Sequence, residues 1–361
     1  MWWEQAKDMG ILVGVTRAEY DPALARLLET RREQGRYPPF VPADPQLRAD
    51  PRRYWPPART LVCLALPYPA SDGDRPPDGL RGLVARSLAG PDYHRVVEAK
   101  IRTVANLLLD AGVRFSYRAW VDAVPPVERA LAARAGLGFF GRNSCLVHPE
   151  LGSWFWLGEL ALDAELPSSL VPPAQVFPSD PCGSCRRCLE ACPTGALVAP
   201  YELDPYRCLS YRTQARGVIP REYRPLIGER LMGCDTCQEV CPYNRPRRKE
   251  RPSSLRWWPL ESLLDPGSAE PAAGTALAWR GRGVLARNAA VVLGNGGRPE
   301  AVGALAAALE RHPSPVVRAH AAWALGRVGT RAAAEALRTA WRRERDDRVR
   351  GEIRLALEPG T

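Results

Sequence analysis

Apolar residues along the chain follow two rhythms. Across residues 92–110, Val96, Val97, Ile101, Val104, Leu107 and Leu108 recur at steps of three and four, with Gly112 beyond them. That spacing predicts an amphipathic helix. Residues 60–67 (TLVCLALP) are instead a continuous apolar run of strand length, which predicts a buried strand. Around these lie a short helix ending at 7–9, a strand at 11–15 and a helix over 21–34 capped by Asp21. An extended stretch at 113–121 and a helix over 128–135 follow, then paired strands within 143–163 that turn at Leu151-Gly152. The pattern predicts an α/β domain over residues 1–170.

The C-terminal pattern repeats. ARNAAVVLG (286–294) matches RAHAAWALG (318–326), RGEIRLALE (350–358) follows, and Leu293, Leu325 and Leu357 are spaced by 32 residues. A period of this size with short apolar helices predicts an α-solenoid of HEAT-like repeats over 276–361. The Pro/Ser-rich stretch 167–181 and the Pro/Gly-rich stretch 252–275 read as boundaries. The expected domains are therefore 1–170, a cysteine-bearing domain at 171–250, a linker at 251–275 and the repeats at 276–361.

Composition narrows the class. With 361 residues and 45% apolar content, the chain can bury a core and is not mainly disordered. Fifty Lys+Arg against 40 Asp+Glu leave a net charge of +10, which suits an acidic partner such as nucleic acid. The N-terminal MWWEQAKDMG lacks an apolar signal core, and no apolar run approaches membrane-spanning length. A cytoplasmic protein is expected. In that reducing setting clustered cysteines point to metal or catalysis rather than disulfides.

Eight of the ten cysteines form a recognisable constellation. Cys182-x2-Cys185-x2-Cys188-x3-Cys192-Pro193 has the bacterial ferredoxin spacing, and Cys208 with Cys234-x2-Cys237-x3-Cys241-Pro242 forms a second set. In such runs the cysteine before proline serves the other cube. The spacing therefore assigns Cys182, Cys185, Cys188 and Cys241 to one 4Fe–4S cluster, and Cys192, Cys208, Cys234 and Cys237 to the other. Two zinc sites are the alternative for paired CxxC motifs. Cys63, inside the apolar strand, reads as a packed core thiol, and Cys145 as structural.

Several motifs together resemble the epoxyqueuosine reductase family. They are GPDYH (90–94), VDAVPPVERALAARAGLGFFGRNS (121–144), CGSCRRCLEACPTGAL (182–197), RCLSYRTQARGVIP (207–220) and MGCDTCQEVCPYNRP (232–246), in the family's order. The resemblance implies a nitroreductase-like α/β domain that binds cobalamin, a ferredoxin-like double-cluster domain and HEAT-like repeats. It implies the last step of queuosine synthesis, reduction of epoxyqueuosine to queuosine at the tRNA wobble position. Electrons would pass from the clusters to the corrinoid, whose Co(I) state acts on the epoxide. Asp122 would be the proton donor and a cobalamin contact. Arg48, Leu146, Leu157, Ser210, Asp235 and Thr236 are carried over as further cobalamin contacts. Where many members have Thr-Gly after that aspartate, this chain has Ala123-Val124. None of His94, His148, His312 and His320 lies in a DxHxxG corrinoid signature, so no lower-ligand histidine of that type is expected.

The resemblance also gives the positive charge a role. Arg216, the RPRRKER run (245–251), Arg282, Arg287, Arg318 and Arg350 are candidate contacts for the tRNA anticodon arm. The expected protein is a monomer without membrane contact, fed by an external electron donor. Two rival readings are another corrinoid iron–sulfur reductase of dehalogenase type, and an electron carrier without a substrate.

Overall fold

The computed structural model describes residues 1–68, 79–122, 124–173, 175–178, 180–244, 256–268 and 272–358. The chain divides into two compact units, each assembled from separated segments. The first comprises 1–70, 93–206 and 236–250; the second comprises 71–92, 207–235 and 251–361.

The first unit is built on a four-stranded antiparallel sheet. In spatial order its strands are Leu12–Arg17, Thr60–Pro67, Phe155–Leu162 and Tyr117–Trp120. The two central strands are buried on both faces, which explains their unbroken apolar runs. Alternate side chains divide between two cores. Val62, Leu64, Leu66, Leu160 and Leu162 pack with helices Trp2–Asp8 and Tyr93–Asp110 on one side. Leu61, Cys63, Ala65 and Ala161 pack with helix Glu128–Arg134 on the other.

Local signals operate as expected here. Asp21 accepts the Leu24 N–H at 2.9 Å and starts helix Pro22–Glu33, with proline in the first turn. Gly158 lets helix Tyr93–Asp110 lie close to the sheet, because a Cβ there would stand 2.4 Å from Val97 Cγ1. The hairpin expected within 143–163 is not a hairpin. The central strand Phe155–Leu162 pairs with Thr60–Pro67 and Tyr117–Trp120. The short strand Leu146–Val147 pairs with Phe139–Phe140, and only a His148–Gly152 bridge spans the predicted turn. Apolar strands of equal pattern do not specify their partners.

The second unit combines a three-stranded sheet with the helical tail. Strand Arg81–Val84 lies between Arg230–Met232 and Trp257–Pro259. Helices Arg282–Gly296, Val302–Arg311, Pro315–Val328, Arg331–Trp341 and Asp347–Leu357 continue one apolar core from this sheet. The expected linker at 251–275 therefore contributes structure: Leu260, Leu263 and Leu264 are buried in that core. Its Pro/Gly content interrupts periodicity without preventing these apolar anchors from docking. Likewise the first unit runs across the expected 170/171 boundary, while the units part at 250/251 and also at Tyr206/Arg207 and Asp235/Thr236, within the cysteine segment.

Candidate active site and metal centres

Asp122 follows the edge strand Tyr117–Trp120 and has φ 56, in the left-handed region. Aspartate is among the few residues that enter this region readily. The turn presents its side chain outward, 55% exposed in the protein alone. The Tyr93 hydroxyl donates to Asp122 Oδ2, and His94 Nε2 stands 3.9 Å from the same oxygen. Tyr93 stacks between His94, at a 4.1 Å centroid distance, and Trp156, at 5.9 Å. Ala123 lies outside the described residues, so the Ala123-Val124 replacement is placed only at Val124, whose N–H returns to Asp122 O at 2.8 Å.

The turn is braced after Asp122. Arg48 Nε donates to Pro125 O at 3.2 Å, and the Arg48 carbonyl accepts the Val127 N–H at 3.2 Å. The Arg48 guanidinium also reaches Tyr37, through the hydroxyl at 3.3 Å and over the ring at 5.6 Å. Glu128 opens the next helix and is part-exposed as a residue, while its carboxyl lies deep. Burial, then the Asp122 charge, push that carboxyl up to about 7. Behind it Glu159, with no exposed surface, opposes Trp120 across the sheet. Burial and then Glu128 hold the Glu159 carboxyl well above the usual carboxylate range.

Arg129 donates to Ser144 O at 2.7 Å, and Ser144 is a second non-glycine residue at positive φ, 63°. Its buried hydroxyl has no partner among the described residues. A buried hydroxyl of this kind is suited to a polar ligand such as an amide-fringed corrinoid.

Leu146 and Leu157 pack in the sheet core with Leu131 and Phe155. Asp235 Oδ2 accepts the Arg86 N–H at 2.8 Å and faces the buried Arg256 guanidinium at 3.3 Å. That carboxylate is thus engaged within the second unit. Ser210 Oγ accepts from Gln214 at 3.0 Å. Thr236 begins the short helix Thr236–Glu239.

The eight motif cysteines are all free thiols. Six of them belong to the first unit, where Cys182, Cys185 and Cys145 act on Cys241, and Cys241 and Cys185 on Cys188. Burial, with these neighbours, pushes the Cys188 thiol up to about 11 and Cys241 above its ordinary value. Crowded, buried thiols that resist ionisation fit a site completed by cationic iron, since binding expels their protons. The first expected ligand set, Cys182, Cys185, Cys188 and Cys241, lies wholly within this unit. Cys192 behaves differently: burial opposes its thiolate, yet hydrogen bonds from Thr194, Ala196 and Leu197 hold it below the usual range. The Ala196 N–H reaches its Sγ at 3.2 Å. Cys63 is fully buried, as expected of a core thiol.

The basic candidates separate by burial. Arg216 is exposed. Arg282 donates to the carbonyls of Asp265, Pro266 and Ser268. Arg318 is bidentate to Glu344, and Arg350 lies 4.1 Å over the Trp341 ring. Arg287 requires correction: it is 1% exposed and ties down the carbonyls of Arg212, Thr213, Ala215 and Gly217. It cannot meet a phosphate. A buried arginine on a helix has the same sequence signature as a surface one. RPRRKER lies outside the described residues.

Sequence reasoning assigned no role to Tyr93, His94, Glu128 or Glu159. The first three sit in the quoted GPDYH and VD-x-x-P-x-x-ER motifs; the signal for Glu159 is one acid inside the apolar run FWLGELAL.

Comparison with known proteins agrees with this geometry. Residues 181–244 match the 4Fe-4S double cluster binding domain, 276–358 match HEAT repeats, and 48–123 match "Epoxyqueuosine reductase QueG, DUF1730". The double-cluster match displaces the zinc alternative. Epoxyqueuosine reductase of Bacillus subtilis is 34% identical over 98% of this chain and 94% of its own. That of Pseudomonas aeruginosa is 40% identical over 69% and 70%. A crystal structure of epoxyqueuosine reductase with an epoxyqueuosine-modified tRNA-Tyr stem loop superposes with TM-score 0.89 at 34% identity, covering 99% of this chain and 96% of that one. A Bacillus subtilis structure with its catalytic aspartate loop swung out of the active site gives 0.87 at 33% identity, over 99% and 97%. These matches run through the sheet domain, the cysteine segment and the repeats alike, and the chain belongs to the epoxyqueuosine reductase family.

Proposed function

We infer that this protein reduces epoxyqueuosine to queuosine at the wobble position of tRNA. The observation that carries the inference is the Asp122 turn, whose left-handed backbone holds an exposed carboxyl against Tyr93 and His94. Removing the epoxide oxygen as water consumes two electrons and two protons. When bound, two 4Fe–4S clusters and cobalamin supply the electrons. The first cluster is held by Cys182, Cys185, Cys188 and Cys241, the second by Cys192, Cys208, Cys234 and Cys237. The four-stranded domain, helices on both faces, is the nitroreductase-like corrinoid-binding domain. By the resemblance, Arg48, Asp122 and Thr236 of the first unit would meet the cofactor, with Ser210 and Asp235 as further candidates; Leu146 and Leu157 pack in the sheet core.

Asp122 delivers a proton from its carboxyl oxygen to the departing oxygen. Tyr93 fixes the orientation of that carboxyl through its hydroxyl. Arg48, through Pro125 and Val127, keeps the rest of the loop from drifting. Arg216 and Arg282, with RPRRKER, meet tRNA phosphates. Among the described residues no helix is long and apolar enough to cross a membrane. The protein works as a cytoplasmic monomer with an external electron donor.

The test is anaerobic reconstitution with iron, sulfide and cobalamin, then nucleoside analysis of tRNA carrying epoxyqueuosine. Queuosine should accumulate with wild-type protein. Asp122→Asn should keep both cofactor types and lose most turnover. Unchanged turnover in Asp122→Asn would remove this residue from the chemistry.

A further inference from the structure

We propose that the turn Gly141–Cys145 is the positioning element of the metal centres: Arg142 fixes the Cys185 turn and Asn143 the Cys237 turn, so two consecutive residues brace ligand loops of both clusters. The proposal rests on the cluster ligand sets given under the proposed function. The turn is itself rigid. It joins the paired strands Phe139–Phe140 and Leu146–Val147. The Gly141 N–H donates to Cys145 O, and the Ser144 N–H to Gly141 O, each at 2.8 Å. The Cys145 N–H donates to Asn143 Oδ1 at 3.1 Å. Ser144 closes the turn at φ 63, in the left-handed region. Position 141 must stay small, because a Cβ there would stand 2.9 Å from Asn143 Oδ1.

From this base two side chains reach cysteine loops that are far apart in sequence. Arg142 Nη1 donates to Cys185 O at 3.3 Å, and its Nη2 to Asp180 Oδ2 at 3.1 Å. The other Asp180 oxygen accepts the Tyr201 hydroxyl at 3.0 Å, and the Tyr201 N–H returns to Arg142 O at 3.0 Å. The guanidinium thus grips both ends of segment 180–185, which carries Cys182 and Cys185. The buried Asn143 gives its Nδ2 to Cys237 O at 3.3 Å. The far end of that segment is held separately, by Asn244 Nδ2 on Gln238 O and Ser153 Oγ, each at 2.8 Å. Asn143 is therefore the brace beside Cys237 itself. Both side chains bond carbonyls of ligand residues, not their sulfurs. They act on the clusters by orienting the loops that present the thiolates. Because Cys185 and Cys237 serve different clusters, each brace acts on its own cluster.

The experiment challenges the full chain, reconstituted anaerobically, with an iron chelator. Retained iron and sulfide are measured, and the reduced protein is examined by electron paramagnetic resonance. Cys185→Ala and Cys237→Ala supply the reference spectra, each lacking a ligand of one cluster. Arg142→Gln should weaken iron retention by the first cluster on the order of tenfold to a hundredfold, leaving the Cys185→Ala spectrum. Arg142→Lys should recover part of that loss, since an ammonium still reaches one of the two oxygens. Asn143→Asp keeps the acceptor for the Cys145 N–H and removes only the donor to Cys237. It should weaken the second cluster by a similar factor and leave the Cys237→Ala spectrum. Wild-type retention in both variants overturns the proposal, and so does loss of both clusters together from either one, the mark of a general folding defect. If Cys185→Ala and Cys237→Ala removed the same cluster, the ligand assignment beneath the proposal would fall instead, so the two failures are distinguishable.

Discussion

Replacing Arg287 by methionine separates a core tie from a tRNA contact. The side chain spans from helix Arg282–Gly296 to the end of helix Leu209–Gln214. Its Nη1 donates to Ala215 O at 2.6 Å and Gly217 O at 2.7 Å; its Nη2 reaches Arg212 O at 3.1 Å and Thr213 O at 3.3 Å. Burial lowers its pKa to about 10, so it remains a cation at neutral pH. Methionine matches the stem's volume but leaves these carbonyls without their donor. An unsatisfied buried acceptor costs about 1–3 kcal/mol, and partial relaxation of the 212–217 segment offsets some of the sum. The expected loss is about 3–5 kcal/mol. Urea unfolding under anaerobic conditions measures it, with Arg287→Lys as the milder variant because one ammonium cannot span the fork. The tRNA salt dependence of folded Arg287→Lys should match wild type. Unchanged stability together with a log–log salt slope reduced by roughly one would refute the argument and return Arg287 to the phosphate surface.

Three further outcomes follow from packing and ionisation. A Cβ on Gly294 would stand 2.8 Å from Ala324 Cα, and one on Gly326 2.7 Å from Ala356 Cβ. Gly294→Ala and Gly326→Ala should each destabilise the repeats by about 1–3 kcal/mol, read as a lower urea midpoint. His320 accepts the Ile219 N–H at 3.1 Å and is held to about 3, first by burial and then by Arg224. Its folded pKa is below its unfolded value of about 6.5, so its contribution is complete above that pH and is lost as pH falls from about 6.5 toward 3. Unfolding titrations should show this slope in wild type and lose it in His320→Gln. Cys241→Ala should lower iron and sulfide content by about half, measured after anaerobic reconstitution, because it removes one ligand of one cube.

Much of the architecture was legible because local chemistry repeats along the chain. The 3.6-residue rhythm located helix Tyr93–Asp110, and the Asp21 cap located helix Pro22–Glu33. The 32-residue spacing exposed the repeats, whose glycines admit close helix contact at Gly294 and Gly326. Cysteine spacing specified the metal chemistry, since a cube and its ligand turns tolerate few separations. The motif around Asp122 pointed to the loop of the proposed proton donor without showing how it is held.

Alternation and spacing are properties of neighbours in sequence, so they determined the helices, the buried strands, the double-cluster motif and the repeat period. Long-range pairing is not written in that periodicity. Only the tertiary structure placed Phe155–Leu162 between two distant strands and brought Glu159 behind Glu128. It also turned Arg287 and the Asp235 carboxylate inward, where buried carbonyls and Arg256 satisfy them. A charged side chain looks the same in sequence whether water or protein solvates it; burial decides its role, and burial is set by residues far along the chain.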